Sequence, residues 1–450
     1  MIGPARVAAY DIQLAVSTGR ADLSAAIAHA RARLKDERDR ALASEIATGV
    51  QRWRAALDHL ITHFSKRSID RLDPQVLEIL RLSAYQLLYL TRVPASAVVD
   101  DAVKLTGRAG KRSAGGLVNA VLRSISRNRH ALPLPQRPDD PVDREKAIEY
   151  LSVTLSHPRW LVERWRDRFG FDATERWLQF DNAPAPLTLR ANPLRIAAPE
   201  LIARLARDEV AVRPGRFAPD ALIVERGHPR READEGLFVI QDEASQLVAL
   251  LAGTRPGAPV LDTCASPGAK TSALAAAMNG SGCLVACDVR DRRMRLLRRT
   301  VEATGAANVR LVQADLLQPL PFLPRFDCVL VDAPCSGLGI LRRDPDIRWR
   351  RREDDLPSLA AAQLVMLQHA ATAVAPGGRL IYATCSSEPE ENESVAHAFL
   401  ATAPEFAPVD LRRLDTSVPA EVVDARGHLR TYPHVHGLEA FFGAVFLLRS

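Results

Sequence analysis

Apolar residues in the first third of the chain recur every three or four positions, which is the spacing of a helix that buries one face. The segments with this spacing are 5–17, 23–35, 38–63, 74–90, 95–106 and 115–128. Pro74 and Pro94 stand where helices can begin, and Gly107 and Gly110 lie where one can end. The pattern predicts an all-helical domain over residues 1–135.

A proline-rich stretch separates this domain from the next one. Residues 132–141 contain four prolines and no periodic apolar pattern, which indicates a linker. Helical spacing returns over 145–182, where Trp160, Trp165 and Trp177 are predicted to pack in a core, although such rings can also stack on nucleic-acid bases. Short apolar runs then predict a small α+β domain, so that the second domain covers residues 142–235. Its strands are expected at 187–191, 210–212 and 221–224, and its helix at 199–207.

The last part of the chain alternates apolar strands with amphipathic helices. A helix start is predicted within 238–251, strands at 259–263, 283–288, 309–314, 326–331 and 379–384, and helices at 292–303 and 357–375. This alternation predicts an α/β, Rossmann-like domain over residues 236–450, with a parallel sheet covered by helices on both faces. Ligands of such sheets bind at the carboxyl ends of the strands.

The helical domain contains more basic than acidic residues. Residues 1–140 hold 22 Lys and Arg against 14 Asp and Glu, whereas the rest of the chain holds 38 against 40. A local basic excess indicates a polyanionic partner, although an arginine-rich solvated surface is the alternative. No segment has the pattern of a signal peptide or of a membrane span, which predicts a cytoplasmic protein. None of the six cysteines forms a CxxC pair, so neither a zinc site nor a disulfide framework is expected.

The turn after the first strand of the α/β domain is a candidate cofactor site. Strand, tight turn and helix follow one another over residues 262–278, which places backbone N–H groups beside a ligand. A P-loop would need glycine at positions 264 and 269, where Cys264 and Ala269 stand. Asp288 ends the second strand, where a carboxylate can accept both ribose hydroxyls, and Asp315 follows the third, where it can accept from an adenine amino group or cap a turn. Two acidic strand ends without a phosphate loop favour S-adenosylmethionine.

Two cysteines follow later strands of the same domain. Cys335 lies in Val-Asp-Ala-Pro-Cys-Ser-Gly and Cys385 lies in Tyr-Ala-Thr-Cys-Ser. A thiolate that adds to C6 of a cytosine makes C5 nucleophilic, and a second group must then help to undo the adduct. A pair of cysteines at strand ends is therefore a candidate for covalent chemistry on a pyrimidine, although a buried cysteine is more often a small apolar residue.

These motifs resemble those of the RNA cytosine-C5 methyltransferases. The similar segments are the turn at 262–271, the Asp-Ala-Pro-Cys-Ser-Gly at 332–337, the Thr-Cys-Ser at 384–386 and the segment 343–349. Residues 93–99 and 116–123 are similar to the NusB-type RNA-binding domain that members of this family carry. Ser266 and Ala269 depart from the alanine and glycine that the family commonly has there.

The resemblance implies a role for each matching residue. It makes Cys385 the nucleophile and Cys335 the group that helps product release, with Asp332 hydrogen-bonding near N3 and the amino group of the base. The residues implied to line S-adenosyl-L-methionine are Cys264, Ala265, Ser266, Pro267, Gly268, Ala269, Lys270, Asp288, Asp315 and Asp332. The implied partner is small-subunit ribosomal RNA, free or incompletely assembled, bound by a monomer.

Two other functions stay open at this point. The DNA cytosine-C5 enzymes use the Pro-Cys motif as nucleophile, which would exchange the roles of Cys335 and Cys385. A non-catalytic RNA-binding assembly factor would use the same fold for binding alone. His434 and His436 are expected to pack or hydrogen-bond, because two histidines without a third ligand do not make a metal site.

Overall fold

The computed structural model describes residues 2–229, 236–414 and 416–449 and divides into two compact units. The first unit comprises Met1–Pro184 and Leu341–Glu353, and the second comprises Ala185–Ile340 and Asp354–Ser450. Within the described ranges, no helix combines the length and apolar character needed to cross a membrane.

The first unit is helical. Its helices are α1 Pro4–Ser17, α2 Leu23–Arg33, α3 Glu37–Arg52, α4 Arg54–Ser65, α5 Pro74–Tyr89, α6 Ala95–Arg108, α7 Gly115–Arg127, α8 Arg144–Glu149, α9 Arg159–Phe169 and α10 Phe171–Asn182. Asp22, Asp36 and Asp73 accept hydrogen bonds from backbone N–H groups in the first turns of α2, α3 and α5. These caps satisfy donors that have no partner inside the helix, which is why the helices begin there.

One predicted helix is wrong, because residues 38–63 form two helices instead of one. The break is at Trp53, which has φ −109° and ψ 18° between α3 and α4. Its ring stacks on Tyr89, with the ring centroids 4.9 Å apart. The apolar spacing continues through the break, so the periodicity of the sequence does not reveal it.

Tryptophans and one buried arginine hold the rest of the first unit. Trp165 and Trp177 are fully buried with their ring centroids 4.4 Å apart, which confirms their predicted packing role. Arg348 lies in the short helix Ile347–Arg350 and is also fully buried. Its guanidinium donates to the Ser156 carbonyl and to Asn182 Oδ1, both at 3.0 Å. Hydrogen bonds of this kind offset the cost of burying a charge and fix residues 341–353 within this unit.

The second unit begins with a small antiparallel sheet in the order β2-β3-β1-β4. Its elements are β1 Thr188–Ala191, α11 Ala198–Arg207, β2 Ala211–Pro214, β3 Ala221–Arg226 and β4 Phe238–Ile240. The helix start predicted within 238–251 is preceded by β4, which pairs with β1, and the helix α12 runs over Glu243–Leu250.

A larger sheet follows in the order β10-β12-β9-β8-β5-β6-β7, with β11 paired to β12. The strands are β5 Pro259–Asp262, β6 Cys283–Asp288, β7 Val309–Gln313, β8 Phe326–Asp332, β9 Val374–Thr384, β10 Phe406–Val409, β11 Leu429–Arg430 and β12 Phe442–Leu448. The helices are α13 Ala269–Ala277, α14 Asp291–Thr304, α15 Asp355–Ala371, α16 Glu393–Thr402 and α17 Pro433–His436.

The predicted Rossmann-like class is confirmed, but the sheet is mixed instead of wholly parallel. Strands β5 to β9 pair in parallel, while β12 pairs antiparallel with β9 and with β10. Along β8 and β9, alternate residues enter two separate apolar clusters: Leu330 and Ile381 lie in one, Val329 and Leu380 in the other. Burial on both faces explains the continuous apolar runs of these strands.

Candidate active site

The turn between β5 and α13 crosses the carboxyl end of β6. Ala265 N donates to the Cys287 carbonyl at 2.8 Å, and Ser266 N donates to Asp288 Oδ2 at 3.2 Å. Gly268 has φ +107°, and a Cβ there would lie 3.0 Å from Thr300 Cβ. Glycine adopts this conformation without strain and leaves room for α14. The turn is therefore fixed by its own backbone at the edge of the sheet where ligands bind.

Three carboxylates converge on this turn. Burial, followed by the charges of Asp332, Asp262 and Asp288, raises the pKa of the Cys264 thiol. Burial also raises the pKa of Asp262 to about 7, against a hydrogen bond that Thr271 donates to it. Cys264 is thus held as an unreactive thiol, because only a thiolate is a strong nucleophile.

Asp315 is a predicted ligand residue that takes no part in the contacts of the turn described above. Its side chain is exposed, and its Oδ1 accepts a hydrogen bond from Leu317 N at 3.0 Å. Within the described chain, this hydrogen bond does not join Asp315 to the other predicted site residues. Of the two roles considered from sequence, the structure shows the turn cap.

Lys270 connects the turn to the end of β8. Its Nζ lies 2.7 Å from Asp332 Oδ2 and 5.7 Å from the centroid of the Phe441 ring. Burial alone would lower the pKa of Lys270, but the Asp332 carboxylate outweighs it and Cys385 adds to the effect, so that the pKa is raised. Lys270 therefore remains a cation beside Asp332 and within electrostatic range of Cys385.

The two predicted cysteines are in contact. Their Sγ atoms are 3.2 Å apart, and Ala333 N donates to the Ala383 carbonyl at 2.8 Å, which continues the pairing of β8 and β9. The hydrogen bond with Cys385, then burial and the nearby charges of Cys385 and Glu391, raise the pKa of Cys335 well above its usual value. Either thiol can be the donor in this contact, and the raised pKa of Cys335 means that Cys335 keeps its proton.

Glu391 joins the two loops that follow the cysteines. Its carboxylate is fully buried and accepts hydrogen bonds from Ser336 N at 2.8 Å, Ser336 Oγ at 2.5 Å and Ser386 Oγ at 2.5 Å. Gln363 of α15 adds a fourth donor, with Nε2 2.9 Å from Glu391 Oε1. Because Ser336 follows Cys335 and Ser386 follows Cys385, one side chain sets the distance between the two thiols.

Comparison with known proteins shows the family to which the chain belongs. The family described as 16S rRNA methyltransferase RsmB/F matches residues 249–447, the NusB family matches 4–127, and the RsmF/B-like ferredoxin-like domain matches 157–230. The probable ribosomal RNA small subunit methyltransferase B of Bacillus subtilis (strain 168) is 34% identical over 413 residues, which are 90% of each chain. The chain belongs to the RsmB/F family of rRNA methyltransferases.

Two further matches extend over most of this RsmB/F-family chain. The ribosomal RNA small subunit methyltransferase B of Pseudomonas putida (strain KT2440) is 34% identical over 90% of this chain and 91% of its own. The crystal structure of PH0851 superposes with a TM-score of 0.81 at 27% identity, and the match covers 99% of both chains. The PH0851 match therefore runs through all three regions of this chain that match a family, 4–127, 157–230 and 249–447.

S-adenosyl-L-methionine is the cofactor of this methyltransferase family, and the residues present fit it. Asp288 is 4% exposed, and each of its oxygens accepts one backbone N–H, from Ser266 and Val289. A carboxylate oxygen has a second lone pair, so Asp288 can still accept hydroxyl donors. The surrounding carboxylates also suit a donor that carries a cation and no phosphate.

Two residues of this RsmB/F-type site escape sequence reasoning. Glu391 lies in the acidic run 388–393, whose composition is typical of a solvated turn; the only hint is the serine that follows each cysteine. Arg190 of β1 is 3% exposed and donates to the Ala269 carbonyl at 2.5 Å and to Ser272 Oγ at 2.7 Å. Burial lowers its pKa to about 10, so it stays charged at neutral pH while it holds the start of α13.

The C-terminal histidines have a local role. His436 Nδ1 accepts a hydrogen bond from Tyr432 N at 2.9 Å, and its Nε2 lies 3.1 Å from the Glu421 carbonyl. In the described ranges, no group of three or more His, Cys, Asp or Glu is arranged to hold a metal ion.

Proposed function

We propose that the protein methylates C5 of a cytosine in small-subunit ribosomal RNA through a covalent bond between Cys385 and C6 of the base. The observation that supports this most is the 3.2 Å separation of the Cys335 and Cys385 sulfurs beside the Lys270–Asp332 pair. A single nucleophile would not need a second thiol in contact with it. Adduct formation and adduct release are two separate tasks, and the pair offers one group for each.

The first step is attack by Cys385. Its sulfur lies 3.2 Å from the Cys335 sulfur, and Lys270 is a cation within electrostatic range of it. The sulfur forms a bond to C6, and the electron pair of the C5–C6 double bond moves into the ring toward C5 and N3. Asp332 accepts a hydrogen bond from the amino group of the base, beside N3. The bound S-adenosylmethionine supplies the methyl group that C5 takes up, and holding base and donor together lowers the barrier.

Release is the task of Cys335. Its pKa is raised mainly because of Cys385. Once the Cys385 sulfur is bonded to C6 it carries no charge and no longer accepts a hydrogen bond strongly, so the pKa of Cys335 falls. Cys335 then passes its own proton to solvent, and the resulting thiolate, directly or through a water that it orders, removes the proton from C5. The C5–H electrons re-form the double bond, and Cys385 leaves as a thiolate.

The rival order, with Cys335 as the nucleophile, is less well supported. A group whose pKa is raised by its neighbour is the poorer thiolate of the pair. Lys270, which stays charged, also interacts electrostatically with Cys385, and a neighbouring cation suits an attacking sulfur. These two observations support Cys385 as the attacking group.

The substrate we propose is ribosomal RNA before the small subunit is complete, bound in the cytoplasm by a monomer. A base must leave its stack to reach a thiol, so an accessible loop is expected at the target. The test is to map 5-methylcytosine in small-subunit ribosomal RNA from cells with and without the gene. One cytosine is expected to lose its methyl group and to regain it when purified protein is added to the stripped RNA. An unchanged map would contradict the proposal.

Glu391→Gln is expected to lower kcat by about ten- to a hundredfold, because small displacements of reacting groups cost factors of this size. Glutamine has one acceptor oxygen in place of two, and its NH₂ group would face the hydroxyl protons of Ser336 and Ser386. Glu391 acts through the cysteine loops, so KM for the donor is expected to stay unchanged. Glu405→Gln, at an exposed position, is the control. Equal losses in kcat and in donor affinity would instead indicate a general loss of structure.

A further inference from the structure

The helix that supports the donor turn carries a dense cluster of arginines. Residues 290–299 contain six arginines, at positions 290, 292, 293, 295, 298 and 299, and every one of them is exposed. We propose that this α14 surface, defined by these six residues, binds phosphates of the RNA substrate. The inference rests on the RNA-methyltransferase function of the chain and adds a binding surface outside the NusB domain.

The charge of the surrounding chain makes the α14 surface distinctive. Residues 236–340 and 354–450 together contain 16 Lys and Arg against 21 Asp and Glu. Six of those 16 basic residues lie within 290–299, where Asp291 is the only acidic residue. Outside residues 290–299, these two ranges contain ten basic and twenty acidic residues. Such an acidic stretch repels a polyanion, so the α14 surface is where this part of the chain can attract RNA.

Most of these arginine side chains make no ion pair within the described chain, which leaves them able to bind phosphates. Arg293 Nε lies 3.7 Å from Asp288 Oδ2, and the other five make no ion pair with any described residue. Some arginines elsewhere in this unit do form ion pairs: Arg412 lies 2.9 Å from Asp410, and Arg430 contacts Glu393. Planar guanidinium groups without a carboxylate partner are well suited to phosphate oxygens.

Packing holds the α14 surface in a fixed place. Leu297 is fully buried, Thr300 Oγ1 donates to the Pro267 carbonyl at 2.6 Å, and Ser266 Oγ donates to the Arg293 carbonyl at 3.1 Å. The helix is thus bonded directly to the donor turn. Positions 292, 295 and 299 lie on one face of it and span about 10 Å at 1.5 Å per residue. Phosphates of one strand of double-stranded DNA follow at about 3.4 Å along the axis, and at a spacing of this order in RNA the face can meet roughly three of them.

The test is the triple variant Arg292→Ala, Arg295→Ala, Arg299→Ala in the full-length protein. Arg310→Ala, Arg325→Ala, Arg426→Ala is the matched control, because it removes the same charge from three exposed arginines without ion pairs. Affinity for small-subunit ribosomal RNA is measured over a salt series. The slope of log K against log salt concentration is expected to fall by about two to three in the α14 variant and to change little in the control.

Further readouts separate this inference from the function it rests on. KM for RNA is expected to rise about tenfold or more in the α14 variant. Donor affinity and kcat at saturating RNA are expected to stay unchanged. Equal salt slopes in both triple variants would overturn the α14 surface while leaving methylation intact. If the wild-type protein transferred no methyl group, the proposed function would fail, and the binding comparison would still decide the surface.

A second variant covers the case in which the triple variant loses donor affinity. Arg298→Ala with Arg299→Ala restricts the change to two of the six arginines and leaves those nearest in sequence to Asp288 in place. With donor affinity preserved, this double variant is expected to lower the salt slope by one to two. A slope equal to that of the wild type would overturn the proposal.

Discussion

Cys385→Ala is expected to lower methyl transfer by at least about 10³-fold, since the loss of a covalent nucleophile removes the whole adduct pathway. Without the thiolate, C5 of the cytosine has no added electron density and is a poor nucleophile. Donor binding should be unchanged, because the donor turn is held by Asp288 and Arg190 and makes no hydrogen bond to Cys385. Single-turnover transfer of a labelled methyl group measures the effect.

Cys283→Ala is the control for that experiment. Cys283 is exposed at the start of β6, far along the strand from the ligand edge, and its substitution is expected to leave transfer unchanged. If Cys385→Ala retained transfer within tenfold of the wild type while Cys335→Ala lost it, the two cysteines would have the reverse roles, and the mechanism would be that of the DNA enzymes.

Cys335→Ala is expected to form the adduct and then fail to resolve it. The variant keeps Cys385 and Lys270, so attack and methylation can proceed, but the group that removes the C5 proton is missing. Up to one RNA per protein should become attached in a form that survives denaturation, and steady-state turnover should fall by at least about a hundredfold. A denaturing gel with labelled RNA shows the attached species.

The double variant Cys335→Ala, Cys385→Ala separates a true adduct from tight binding. It is expected to give no denaturation-resistant species, because neither thiol of the Cys335–Cys385 pair remains to attack C6. Slow turnover of Cys335→Ala without any attached RNA would contradict the release role of Cys335.

Most of the site residues that the sequence predicts lie at or just after the ends of strands. Alternating strands and helices imply parallel pairing, and parallel strands end at a shared edge. Strand β6 ends at Asp288 and β9 at Thr384, as predicted, and β8 extends one residue further to Asp332. Cys335 comes shortly after the end of β8, and Cys385 follows the end of β9. Because β8 lies beside β9 in the sheet, the two cysteines come together.

The remainder depends on contacts between distant residues. Glu391 is buried because Ser336, 55 residues away, and Ser386 supply hydroxyl donors, and an acidic run does not show that on its own. Strand β12 pairs antiparallel with β9 and with β10, so the alternation that predicts β5 to β9 does not include it. The break at Trp53 follows from a ring contact, which periodicity cannot express.

Mass spectrometry of the species trapped by Cys335→Ala tests the central claim most directly. After nuclease and protease digestion, we expect a peptide in which Cys385 is bonded to a single nucleotide whose cytosine carries one added methyl group. Attachment to a different residue, attachment to a base other than cytosine, or an attached cytosine without the methyl group would contradict it.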